Sequence, residues 1–151
     1  REWNLAVGCV TTDSDSSIVL RVTAPWFSDG GRRVVSEGSP QGAHVKAITP
    51  LGDAHFAIAV LVPSDRWERA IVKRNGPDGV SIEIDDYDDY FDTVILVFDV
   101  RRRQLVTRAT VPHAILYAPA AGFFASQQSN SEVPKIALWR VKLTQTVKER
   151  R

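Results

Sequence analysis

The stretch Asp92 to Val111, D-T-V-I-L-V-F-D-V-R-R-R-Q-L-V-T-R-A-T-V, decides how this chain folds. Thr93 to Phe98 is apolar or β-branched at every position, the pattern of a strand buried on both faces. From Leu105 onward the pattern alternates. Leu105, Thr107, Ala109 and Val111 fall on one face, and Val106, Arg108 and Thr110 on the other. The polar link Asp99 to Gln104 is too short for a crossover helix, so the two strands are predicted to pair antiparallel.

The same reading extends in both directions. Upstream, Leu5 to Thr12 and Ile18 to Ala24 are strands around the polar tract 11–17, and Pro25 ends or bends the second. Ser28-Asp29-Gly30-Gly31 is a tight turn that would return as Arg32 to Ser36, because glycine accepts the positive φ of hairpin turns. The loop Gly38 to Gly42, within the stretch 38–43, is the expected boundary between structural units. Val45 to Thr49 and Ala54 to Val62 form the next pair, and the second member, apolar on both faces, is expected at the centre of its sheet. Arg66 to Arg74 fits either one or two helical turns or a strand. Val80 to Ile84 is a short strand with one wet face, set off by the turn Asn75 to Gly79. Beyond the central hairpin come Ala114 to Tyr117, Phe123 to Gln127 and Ile136 to Leu143. On the last of these, Ala137, Trp139, Val141 and Leu143 share a face, with Arg140 and Lys142 opposite. The tail 145–151 is basic and expected to fray. About ten or eleven strands at spacings of roughly 8–12 residues make an all-β chain of antiparallel hairpins.

Composition narrows the classes. A chain of 151 residues, 44% hydrophobic and 25% charged, reads as a single globular β-rich domain. Nineteen basic against eighteen acidic side chains leave a formal charge of +1, so no overall field recruits nucleic acid or an anionic membrane. No apolar run approaches the ~20 residues of a membrane-spanning helix. Cys9 is the only cysteine, which rules out an internal disulfide. Its context, Leu5-Ala6-Val7-Gly8-Cys9, faintly resembles a lipoprotein cleavage site but lacks the preceding basic and long apolar regions, and fits the inner face of a strand better.

A family resemblance rests on Phe98-Asp99-Val100, Leu105-Val106, Gly122-Phe123-Phe124-Ala125, Val133-Pro134-Lys135-Ile136 and Leu138 to Leu143. In that order, over about residues 45–143, these pieces resemble blades of bacterial six-bladed β-propeller proteins. A loose internal repeat accompanies them, G-D-A-H-F-A-I-A-V at Gly52 and A-A-G-F-F-A-S-Q-Q at Ala120. The resemblance implies a β-propeller-like fold. At ~40–45 residues per blade, the chain holds about three blades, an incomplete ring. An open arc exposes unpaired edges, so the chain would be the C-terminal segment of a longer propeller or would close against copies of itself. Failing both, a β-sandwich takes its place.

The densest polar cluster is Asp85, Asp86, Asp88, Asp89 and Asp92, interleaved with Tyr87 and Tyr90. Carboxylates at this density could hold calcium, which takes six to eight oxygens, although the spacing is not that of a twelve-residue calcium loop. The plainer reading is a solvated acidic loop whose tyrosines pack back on the sheet. Exposed, Tyr87, Tyr90 and Trp26 would suit a protein or glycan contact. His44, His55 and His113 lack zinc-type spacing and read as strand-end or loop residues. Ser64, Ser126 and Ser129 stand in no nucleophile-elbow context. Arg101 to Arg103 and the basic tail read as a solvated turn and a soluble end. The expectation is thus a non-catalytic scaffold or binding module, with extracytoplasmic placement implied by the resemblance and the absent start methionine. The alternatives are a metal-dependent propeller hydrolase and a self-assembling subunit that pairs open sheet edges between copies.

Overall fold

The computed structural model describes residues 2–10, 15–23, 38–52, 54–77, 79–128 and 135–144. Eleven strands lie among them: β1 (Glu2–Val10), β2 (Asp15–Thr23), β3 (His44–Pro50), β4 (His55–Pro63), β5 (Ile71–Gly76), β6 (Gly79–Ile84), β7 (Phe91–Asp99), β8 (Gln104–Val111), β9 (Ile115–Ala120), β10 (Phe123–Gln128) and β11 (Lys135–Arg140). A 3-10 turn, Trp67–Ala70, and one short helix, α1 (Tyr87–Tyr90), complete the described elements. The chain is therefore all-β with antiparallel pairing throughout, and no described sheet closes on itself. No helix among the described residues is long and apolar enough to cross a membrane.

The organising sheet has the order β3-β4-β7-β8. Its two inner strands are the two runs that are apolar on both faces, which is why they hold the centre. On one face the cross-strand pairs Phe56–Phe98, Ile58–Leu96 and Val60–Val94 form a continuous apolar surface, with the Phe56 and Phe98 rings stacked 5.4 Å apart. The opposite face pairs Ala57 with Val97 and Ala59 with Ile95. These alanines, with Ala47 of β3, leave room for Phe124 and Ile115 of a second sheet, β11-β10-β9, to pack down on them. Small side chains opposite large ones let two sheets interdigitate at interior density. Full burial of each such aromatic or aliphatic side chain contributes about 1.5–3 kcal/mol.

Two buried threonines join the sheets. Thr49 of β3 donates its hydroxyl to the Ala120 carbonyl and accepts the Gly122 amide, each at 2.9 Å. Thr93 of β7 donates to the His113 carbonyl at 2.6 Å and accepts the Ile115 amide at 2.9 Å. Each hydroxyl satisfies two backbone groups at or next to one end of β9. Gly122 makes the β9–β10 turn with φ 75°, a conformation that glycine adopts without steric cost.

Between β4 and β7 the chain leaves the sheet as the 3-10 turn, the β5–β6 hairpin and α1. Arg66 to Arg74 thus resolves into both candidate forms, a 3-10 turn followed by a strand. The acidic stretch is not wholly a loop. Asp86 accepts the amides of Asp88 and Asp89 and caps a single helical turn. Tyr90, Phe91 and Leu61 bury this excursion against the end of the sheet.

Strand β8 corrects the simple alternation. Val97 faces Thr107 but Phe98 faces Leu105, so Val106 is bulged out of the ladder. Directly opposed residues share a face. The bulge therefore turns Leu105 to the face of Phe98, away from Thr107, Ala109 and Val111. The predicted return strand Arg32 to Ser36, the basic tail 145–151 and the side chain of Cys9 lie outside the described residues.

Candidate functional site

The acidic run is drawn into separate structural tasks. The Asp86 carboxylate caps α1. Asp88 accepts the Ala114 amide at 2.8 Å and lies 3.6 Å from Nδ1 of His113, which ties α1 to the β8–β9 connection. Asp89 and Asp92 flank Arg66 at 3.8 and 3.7 Å. Asp85 is exposed and its amide, not its carboxylate, anchors it to the Ala70 carbonyl. Burial pushes the Asp92 carboxyl above the usual range. Arg66 opposes that shift, Asp65 adds to it and His113 opposes it weakly. Nε of Arg66, Oδ1 of Asp92 and Nδ1 of His113 are buried without a hydrogen-bond partner, because their contacts stop at ion-pair distance. Among the described residues no group of three or more His, Cys, Asp or Glu is arranged to hold a metal ion. The Ser64 hydroxyl donates to the Asp89 carbonyl and accepts the Arg66 amide.

The two tyrosines of the run separate. Tyr87 is exposed, while Tyr90 is fully buried, accepting the Gln41 amide at 2.7 Å and meeting Phe91 edge-on. Tyr90 is therefore a core residue and not a surface contact, and burial raises its hydroxyl pKa against the Gln41 hydrogen bond. An i, i+3 spacing on one helical turn could have shown that both rings lie near one side, but not which of them the sheet covers. Trp26 lies outside the described residues. Trp67 and Trp139 both pack against the core, and Trp139 donates to Ser126 Oγ at 2.9 Å. His44 and His55 begin strands, and His113 sits in a loop.

The surface feature that sequence reading missed lies on the outer side of the β9–β10–β11 sheet. Tyr117 and Leu138 both oppose Ala125, one from each side, so the three form a row on one face. Ile136 follows on the same face of β11. Ile136 is 71% exposed, Leu138 66% and Tyr117 56%. The alternation of β11 does carry this signal, since Ile136 and Leu138 share parity with Arg140 and Lys142. Arg140 holds its guanidinium 5.9 Å from the Phe123 ring, at the end of that row.

Beside this face the sheets end unequally. One has four strands and the other three, and the far edge of β11 has no partner strand among the described residues. Where a fourth strand would lie there is an apolar slot of about 250 Å³, floored by Val97, Thr107 and Ala109 and walled by Trp139 and Val141. Thr107 and Ala109 face inward by register, yet remain exposed.

Compared with protein-family models, curated proteins and solved structures, the chain shows no match. Fold and surface together define an antiparallel all-β protein that, among the described residues, leaves an apolar face uncovered beside an open strand edge.

Proposed function

We propose that this chain is a non-catalytic, propeller-like binding module that engages another polypeptide along β11. The observation that carries this is the exposed row Tyr117, Leu138 and Ile136 beside a strand edge that is unpaired among the described residues. Contiguous apolar surface next to free backbone donors and acceptors suits the addition of an extended strand, with the backbone supplying affinity and the side chains selectivity. The propeller-like part of the reading is supported by the antiparallel order β3-β4-β7-β8 and by β9 lying against β3, as successive blades stack strand over strand.

The test places a photo-crosslinking side chain at Leu138 and, as control, at Val45, which is exposed on a different sheet. Polypeptide adducts at position 138 well above those at 45 are expected. Equal yields at the two positions would remove the proposal.

A further inference from the structure

The β5–β6 hairpin is fastened at its root and unsupported at its tip. At the root, Ile71 and Ile84 pack against the cluster of Leu61, Tyr90 and Phe91, and the Asp85 amide donates to the Ala70 carbonyl. Midway, Arg74 and Glu83 form an ion pair at 2.8 Å. Beyond it, Asn75 and Gly76 are exposed opposite Val80 and Gly79, and the two strands pair only with each other among the described residues. A two-stranded ribbon without a packed face is marginal in water, and its tip opens at little free-energy cost.

That tip carries Asn75 directly before Gly76, the one Asn-Gly pair in the sequence. Position 76 does not need glycine for its backbone angle. The left-handed φ values among the described glycines belong to Gly38, Gly52, Gly79 and Gly122, and a Cβ at 76 would meet the Gly79 carbonyl oxygen at an ordinary 3.6 Å. What the bare Cα does is leave the Gly76 nitrogen unshielded beside the Asn75 side chain. No hydrogen bond to another described residue holds that side chain's amide.

We infer that Asn75–Gly76 is a self-modifying site, where the chain converts its own asparagine to an acid with water as the sole co-reactant. When the tip opens, the Gly76 backbone nitrogen attacks Cγ of Asn75 and gives up its proton. The bond from Cγ to the side-chain nitrogen breaks, and that nitrogen leaves as ammonia with the Gly76 proton, closing a five-membered imide. Water then opens the ring at either carbonyl. Opening at Cγ gives aspartate, and opening at the backbone carbonyl gives an isoaspartyl link that runs through the side chain. No electrons are exchanged. Either product adds one negative charge, taking the formal charge of the chain from +1 to neutral. The isoaspartyl form also lengthens the backbone by one methylene before Gly76, which displaces it from Gly79 and opens the end of the ladder. Asn4, the other asparagine among the described residues, precedes Leu5, whose side chain crowds the attacking nitrogen. The reaction needs no partner and is independent of any ligand at β11.

Incubation at neutral and at mildly alkaline pH, followed by tryptic mass mapping, tests this. The peptide 75–101 holds Asn75 as its only amide side chain, so a gain of the amide-to-acid mass difference there reports on this site alone. The unmodified chain, Gly76→Ala, Asn75→Gln and a free peptide of residues 71–84 are run together. The folded chain is expected to convert within about tenfold of the free peptide's rate, and faster at the higher pH, because attack requires the nitrogen to lose its proton. Gly76→Ala, which the backbone accepts, should slow conversion about tenfold or more. Asn75→Gln should stay unconverted over the same period, since its longer side chain closes a six-membered ring far more slowly. A folded chain slower than that bound, a rate without pH dependence, or either variant converting at the parental rate overturns the inference. Hydrogen exchange on the separated products reads the hairpin: the isoaspartyl form should lose protection at 79–82 and the aspartyl form keep it. Equal protection in both would overturn the effect on the ladder.

Discussion

Replacing Thr93 by valine tests how the two sheets are held together. The side chain is fully buried on β7, and valine matches its shape, so no cavity opens. What disappears is one hydroxyl serving two backbone groups, the His113 carbonyl and the Ile115 amide. Leaving a buried polar group unpaired costs about 1–3 kcal/mol. Ile115 is wholly buried and its amide bears the full cost, whereas the loop at His113 is half-exposed and its carbonyl can recover water. The sum is about 2–4 kcal/mol, a lowering of Tm on the order of 10 °C for a domain of this size. Urea unfolding of Thr93→Val and Thr93→Ser measures it. Serine keeps the hydroxyl, so it should lose much less than valine, and amide exchange at Ile115 should accelerate only in the valine variant. A valine variant within about 0.5 kcal/mol of the parent, or a serine variant equally damaged, would refute the claim that these two hydrogen bonds dock β9.

Two further outcomes follow from the same structure. Phe124→Ala empties the position packed on Ala57 and Ala59 and should cost about 3–5 kcal/mol, read as a shift in urea midpoint. Asp99 accepts the Arg102 amide at 2.9 Å. That hydrogen bond lowers its carboxyl pKa, with help from the Arg101 amide and the charges of His55 and Arg102, against the opposing effect of burial. A depressed carboxylate contributes stability above its unfolded pKa of about 4 and loses it as pH falls through the folded value. Asp99→Asn should therefore lower stability at neutral pH and flatten the acid limb below about pH 4; an unchanged urea-midpoint profile across that range would count against the turn contact.

Much of this fold is written locally. The doubly apolar runs at Thr93 to Phe98 and Ala54 to Val62 dictate central strands, because only a position covered on both faces tolerates them. Short polar or glycine-bearing links dictate hairpins, since they can reverse a strand but not cross a sheet. Position-by-position alternation placed Trp139 and Val141 inward, where they do pack.

Other features depend on partners distant in sequence. The pairing of β4 with β7 spans the whole β5–β6 and α1 excursion, and no local pattern announces it. The bulge at Val106 reverses the face of Leu105 without any glycine to mark it, because the partner strand's register decides where the extra residue sits. Tyr87 and Tyr90 look alike in sequence, yet Tyr87 is exposed while Tyr90 is buried in the cluster of Leu61 and Phe91. The five carboxylates likewise read as one cluster, whereas the tertiary structure gives four of them different partners and leaves Asp85 exposed: helix amides for Asp86, the Ala114 amide for Asp88, and the Arg66 charge for Asp89 and Asp92. Periodicity thus set which residues are extended and which way each side chain alternates. Only long-range packing decided which edges were left open, because an edge is defined by the strand that fails to arrive.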